Sequence, residues 1–284
     1  LYSSAASDVY KRQGDIQGNV FSQFSALGGG TTSLSLKNKI NPYNPATYSN
    51  IGKNTFLLSL GALHNTVNLK NSYENQVQNN TSFSHLTIAF PLNSKTGISI
   101  GLLPYSNIGY QISSRDEINS ADLIYSGDGG LSTTYIGGSY KVSSNLSLGA
   151  NANYIFGGLN RRKKLLYDDN SFLNSRSNSK LYIDGFYYQV GVLYNNELQG
   201  KRFVTLGISL TNNSEININR NEILETFRFS GLSEVVKDTV YNNQEDGFLT
   251  LPQYMSFGLT YKDDNRLLFV YINIIIKKGS CRNL

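Results

Sequence analysis

Residues 145–156 read Asn-Leu-Ser-Leu-Gly-Ala-Asn-Ala-Asn-Tyr-Ile-Phe, and no other stretch constrains the fold as strongly. Leu146, Leu148, Ala150, Ala152, Tyr154 and Phe156 fall on one parity, while Asn145, Ser147, Gly149, Asn151 and Asn153 fall on the other. A period of two is that of a β-strand, whose successive side chains point to opposite faces. The polar face is small and uncharged, and the run ends in aromatic residues. A tilted strand crosses a bilayer in about 9–11 residues, which suits this run better than the about 5–6 residues usual in soluble strands. If such strands recur, the chain is a transmembrane β-barrel.

Composition agrees. Charged residues make up 16% of the chain, against about 25% in ordinary soluble domains. No apolar run reaches the roughly 18 residues of a helical span, and the longest, 267–276, is interrupted by Asn273. The 20 Tyr, 14 Phe and 26 Gly, with abundant Asn and Ser, suit a porin-like β protein. The formal charge of +5 sits mostly at the ends. Asp8, Lys11 and Arg12 leave residues 1–13 at +1, and Lys277, Lys278 and Arg282 bring 277–284 to +3, so the chain between carries only +1. A nucleic-acid surface needs a concentrated basic face, and none is predicted. The single Cys281 excludes an internal disulfide, and with two His it builds no metal cluster. The segment 1–13 (LYSSAASDVYKRQ) resembles assembly- or adaptor-derived sequence and is read as non-native; 277–284 reads as a frameshifted tail.

Nine strand segments are predicted, at about 55–63, 84–92, 96–110, 131–142, 145–156, 181–194, 203–210, 254–261 and 266–275. The connections 93–95, 143–144, 195–202 and 262–265 are short and rich in turn residues, whereas 64–83, 111–130, 157–180 and 211–253 are long and polar. Strict alternation of short and long connections is the asymmetry of outer-membrane barrels. The expected fold is an all-β antiparallel transmembrane barrel over 52–276. Nine strands is an odd number and single-chain bacterial barrels close with even ones, so the visible barrel is expected to be partial.

Residues 14–51 do not alternate. They hold Gly28, Gly29 and Gly30, then Asn41-Pro42-Tyr43-Asn44-Pro45-Ala46. Two prolines three residues apart cannot sit in a central strand, and consecutive glycines suggest close backbone approach. The segment is predicted to plug the lumen. At these residues, the glycine run and the Asn44-Pro45-Ala46 just ahead of the first strand, the chain resembles the N-terminal hatch of FadL-type outer-membrane transport proteins, a family with a PorV-like branch tied to protein secretion. The resemblance implies a bacterial outer-membrane location and a hatch whose movement admits hydrophobic small molecules such as fatty acids. Its PorV-like branch implies an accessory barrel with secretion-system proteins as partners. A structural or adhesive surface barrel is the remaining alternative.

The polar parity, including Ser147, Asn151, Asn153, Thr205 and Ser209, is expected to line the lumen, with the apolar parity facing lipid. Pro42 and Pro45 either shape the approach to the first strand or belong to a gate, with Asn41 and Asn44 bonding the wall. Arg161, Arg162, Lys163 and Lys164 form the one basic run inside the barrel and are predicted in a surface loop. They are expected either to meet lipopolysaccharide phosphates or to be solvated and balanced by Asp168 and Asp169. His64 and His85, flanking the first long connection, are too few for a metal site. No G-x-S-x-G, HExxH or spaced Cys/His set occurs. No enzyme activity, catalytic residue, metal or cofactor is expected.

Overall fold

The computed structural model describes residues 15–16, 21–36, 38–70, 75–199, 202–263, 267–276 and 281–282. The expectations for 1–13 and for most of 277–284 therefore lie outside the described residues. The strands are β1 (Asp15–Ile16), β2 (Leu57–Lys70), β3 (Asn75–Pro91), β4 (Thr96–Asp116), β5 (Ala121–Lys141), β6 (Leu146–Tyr167), β7 (Asn174–Leu198), β8 (Arg202–Thr211), β9 (Ser214–Ser230), β10 (Ser233–Leu251), β11 (Tyr254–Asp263), β12 (Leu267–Ile276) and β13 (Cys281–Arg282). They form one antiparallel sheet, strongly curled into a half-barrel, along the path β12-β11-β8-β7-β6-β5-β4-β3-β2. Among the described residues no helix is long and apolar enough to cross a membrane.

The faces are inverted relative to a water-soluble sheet. On β6 the exposed side chains include Leu148 and Phe156, while Ser147, Asn151 and Asn153 are buried. Ile136 on β5 and Phe186 on β7 are 58% and 59% exposed. In water such an outer face would forgo its hydrophobic burial; in hydrocarbon it is at home.

The long polar connections are strands, and the prediction of loops there is corrected. β4 and β5 stay paired out to Asp116↔Ala121, and β6 and β7 out to Leu165↔Ser175. The backbone ladder continues above the membrane, where neither face meets lipid and apolar alternation loses its cause. The run Arg161 to Lys164 accordingly lies within β6 rather than in a loop.

The expected 211–253 loop is the outer half of two strands. β8 pairs with the inner half of β7 (Gln189↔Thr211 to Leu198↔Arg202), and β9 with its outer half (Asn174↔Phe227 to Asp184↔Asn217). So β8 and β9 continue one another past a break at Asn212-Asn213, as β10 and β11 do past Pro252-Gln253. Counted this way, the long strands among the described residues number the nine expected. Side chains bridge the first break: the Tyr188 N–H donates to Asn212 Oδ1 at 2.8 Å, and the Tyr254 N–H to Thr211 Oγ1 at 3.0 Å.

One seam interrupts the wall. β3 pairs with β4 only from Leu86↔Leu102 to Pro91↔Gly97. Farther out, the β4 edge is met by β1, through Asp15↔Asn107 and Ile16↔Ser106.

Candidate functional site

The segment ahead of β2 lies on the concave face of the sheet. It contains a short helix α1 (Ser22–Ser25) and a 3-10 turn (Pro45–Asn50). Asn44 caps that turn, its side-chain oxygen accepting from the Ala46 N–H at 3.1 Å, and Pro45 occupies the first turn, where a missing N–H costs nothing. Phe21, Phe24 and Leu34 form one apolar cluster; Ile40, Tyr48 and Ile51 pack with Ala89 and Tyr135 of the wall in another.

Small residues on the wall make the seat. Gly97, Ser139, Gly149, Gly191, Ser209 and Ser256 are successive register partners across β4, β5, β6, β7, β8 and β11, a continuous row with almost no side-chain volume. The plug backbone lies directly on it. A Cβ at Gly97 would stand 2.1 Å from the Tyr48 carbonyl oxygen, and one at Gly149 would stand 2.4 Å from the Pro45 carbonyl carbon. At Gly191 it would meet Asn44 Oδ1 at 2.1 Å, and at Gly207 the Thr32 carbonyl oxygen at 2.1 Å. Such distances leave room for hydrogen only.

Polar residues hold the plug in place. Tyr48 Oη donates to Asn151 Oδ1 at 3.1 Å, and Asn151 Nδ2 donates to the Pro42 carbonyl at 3.1 Å. Burial lifts the Tyr48 phenol well above its ordinary range, so it remains a donor. The Tyr43 carbonyl accepts from Gln189 Nε2 at 2.7 Å and from Ser209 Oγ at 2.9 Å. Ser49 Oγ meets Ser147 Oγ at 2.9 Å, Thr32 Oγ1 donates to Ser256 Oγ at 2.8 Å, and Ser33 and Thr260 share a 2.8 Å bond. At a net value of about 1 kcal/mol each, these bonds make an anchorage well above thermal energy.

Of the residues expected in the lumen, Ser147, Asn151 and Ser209 bond the plug directly. Asn153 is buried and donates to the Tyr187 carbonyl at 3.4 Å, while half-buried Thr205 turns to Asn195 at 2.8 Å. Farther out on the same parity the inner face becomes apolar, with Ile155 and Leu159 packing on Leu181, Ile183, Ile216 and Leu249. On β6 the polar lining therefore occupies the inner half of the strand, and above the plug the curled sheet packs on itself.

Asn44 reaches the wall at the Val192 carbonyl, 3.3 Å, but Asn41 does not. Its amide donates to the Thr31 and Leu34 carbonyls at 2.8 and 3.0 Å, bracing the plug internally. Pro42, Pro45 and Ala46 are buried. Gly28 and Gly29 have φ of +66° and +82°, closing α1 in the left-handed region, and a Cβ on Gly28 would meet nothing within 4 Å. Gly30 is buried behind them. Gly28 and Gly29 thus take a conformational role, while close approach of plug and wall is made at strand glycines to which the sequence drew no attention. Their signal was a Gly or Ser on the inner parity at one height in strand after strand, visible only once the register is known. His64 and His85 belong to separate register pairs: His64 bonds Thr81 at 2.7 Å, and buried His85 stacks on Phe21 with ring centroids 4.0 Å apart. Among the described residues no group of three or more His, Cys, Asp or Glu could hold a metal.

A curled antiparallel sheet with an apolar outer face, a polar inner row and a seated N-terminal plug defines the class, a bacterial outer-membrane β-barrel protein. Within it, the chain belongs to the BamG family, whose family model matches residues 13–281. The match runs through 277–281, part of the segment read from sequence as a frameshifted tail. No curated protein and no solved structure matches the chain.

Proposed function

We infer that this is a plugged outer-membrane barrel that works as a rigid accessory to a larger protein machine, the role envisaged for a PorV-like barrel, rather than as a solute channel. The observation that carries this reading is the glycine seat. A hatch that must leave its place gains nothing from a wall stripped of Cβ atoms to the point of backbone contact, whereas a permanent plug gains packing and hydrogen bonds. The apolar cluster around Ile155 and Leu159 adds a second packed layer on the concave face. No catalysis or cofactor enters this reading.

The test is made on the full chain in lipid vesicles and in its native membrane. The expected result is no uptake of a fluorescent fatty acid or a small sugar by the barrel alone, with migration in a complex much larger than the barrel after extraction in mild detergent. Uptake by the isolated barrel at rates above empty vesicles contradicts the reading.

A second reading is a FadL-type route for hydrophobic small molecules, and the seam favours it. Among the described residues the β4 edge above Leu102 is paired not with β3 but with the two-residue β1, at Ser106 and Asn107, and so short a ladder is a weak place in a wall whose unpaired backbone would be costly in hydrocarbon. Buried Phe21 and Phe24 stand nearby, Phe21 against His85 of β3. In this reading an apolar molecule passes laterally through the seam without the seat being vacated.

A further inference from the structure

On the outer face of β6 and β7 the chemistry changes with height. Leu148, Phe156, Phe186 and Tyr182 are exposed on one parity, and Tyr154 packs on Phe186 with ring centroids 4.7 Å apart. The ten residue steps from Leu146 to Phe156 rise about 25 Å at a tilt of roughly 40°, the full height of an outer apolar band, with aromatics at its rim. The next register pairs outward are Gly158↔Tyr182, Asn160↔Lys180 and Arg162↔Asn178, which continue the lipid-facing parity. Around the last two lies a cavity of about 290 Å³ lined by Asn160, Arg162, Asn178, Lys180 and Ile223 together with Arg161 and Ser179 of the alternate parity, with no carboxylate in its lining.

We propose that this cavity binds a phosphate carried on the sugar headgroup of an outer-leaflet glycolipid. Lys180 is exposed and forms no ion pair among the described residues; Arg162 has only an exposed contact with Asp128 at 3.6 Å, and the same carboxylate accepts from Asn160 at 3.0 Å. An arginine fork and an ammonium beside two amides match a phosphate. Farther out, Lys164 and Arg176 are already paired with Glu234, so the site has an upper boundary. Its height selects the ligand. The cavity starts about 10 Å beyond the apolar band, whereas a phospholipid headgroup layer is only about 5–7 Å deep. A phosphorylated sugar reaches that far.

The experiment titrates the detergent-purified full chain with fluorescent lipopolysaccharide, before and after enzymatic dephosphorylation, and with phosphatidylglycerol. The expected result is binding of the phosphorylated form that weakens about tenfold or more in the double variant Arg162→Gln, Lys180→Gln. Lys163→Gln, on the opposite parity, should leave it unchanged. Heat-modifiable gel mobility checks folding, and Lys180→Gln alone serves if the double variant misfolds. The proposal is overturned by equal affinity for dephosphorylated lipopolysaccharide or phosphatidylglycerol, by displacement with millimolar inorganic phosphate, or by an unaffected folded variant.

Discussion

Gly149 and Gly138 show how much a single hydrogen decides in this wall. Both are strand glycines, yet a Cβ at Gly149 would run into the Pro45–Ala46 backbone at 2.4 to 2.5 Å, while one at Gly138 would come no nearer than 3.8 Å to anything. Gly149→Ala should therefore destabilise the seated plug by about 1–3 kcal/mol, the usual cost of overpacking, whereas Gly138→Ala should change stability by less than about 0.5 kcal/mol. Limited proteolysis of the N-terminal segment in folded barrels reads both. Asn151 is the polar counterpart: Asn151→Ala leaves Tyr48 Oη, the Pro42 carbonyl and Gln189 Oε1 short of a partner. The expected loss is about 1–3 kcal/mol for each group stranded in a dry site, measured by urea unfolding in micelles. Equal protease resistance of Gly149→Ala and Gly138→Ala would show that the seat is not tight.

At the scale of elements, the outer ends of β6, β7, β9 and β10 are tied by charge rather than by lipid. Lys164 and Arg176 share Glu234, and Arg176 also holds Glu225 at 2.7 Å, beside the buried Phe227 ring. The hydrogen bond from Lys164, with Arg176 close by, holds the Glu234 carboxyl below the usual carboxylate range. Its folded value lies below its unfolded one, so the tie contributes stability at neutral pH and loses it as pH falls through the folded value. Amide protection at the tip of the β9–β10 hairpin should drop as pH falls below the ordinary carboxylate range, and Glu234→Gln should lack that step. Most membrane-level strands were legible because lipid imposes apolar alternation on one face, as at Leu148, Ala150 and Ala152, whereas 266–275 is apolar on both parities and was legible only as a continuous apolar run. The strand extensions were not, because residues such as Asn160 to Lys164 meet water, where no outer apolar face is required and only the ladder keeps the strand. Asn44 could be read from its position before Pro45; Asn41 could not, because its partners Thr31 and Leu34 are fixed by the path of the plug.

For the whole molecule, the inner row of Gly and Ser and the outer apolar band jointly specify a wall that faces lipid on one side and a fixed peptide segment on the other. The order Gly97, Ser139, Gly149, Gly191, Ser209, Ser256 exists only in the assembled sheet, which is why no single strand announces it. The central claim is that the plug stays seated while the protein works. Ser49 and Ser147, with Oγ atoms 2.9 Å apart, allow a direct test. Ser49→Cys and Ser147→Cys, placed in a chain carrying Cys281→Ser, should cross-link plug to wall on oxidation. Vesicles holding this variant are assayed for fatty-acid uptake, and the same variant replaces the native chain in cells. The result expected is no uptake in either redox state and full support of the cells by the locked form. Uptake that appears on reduction and vanishes on oxidation would contradict the account.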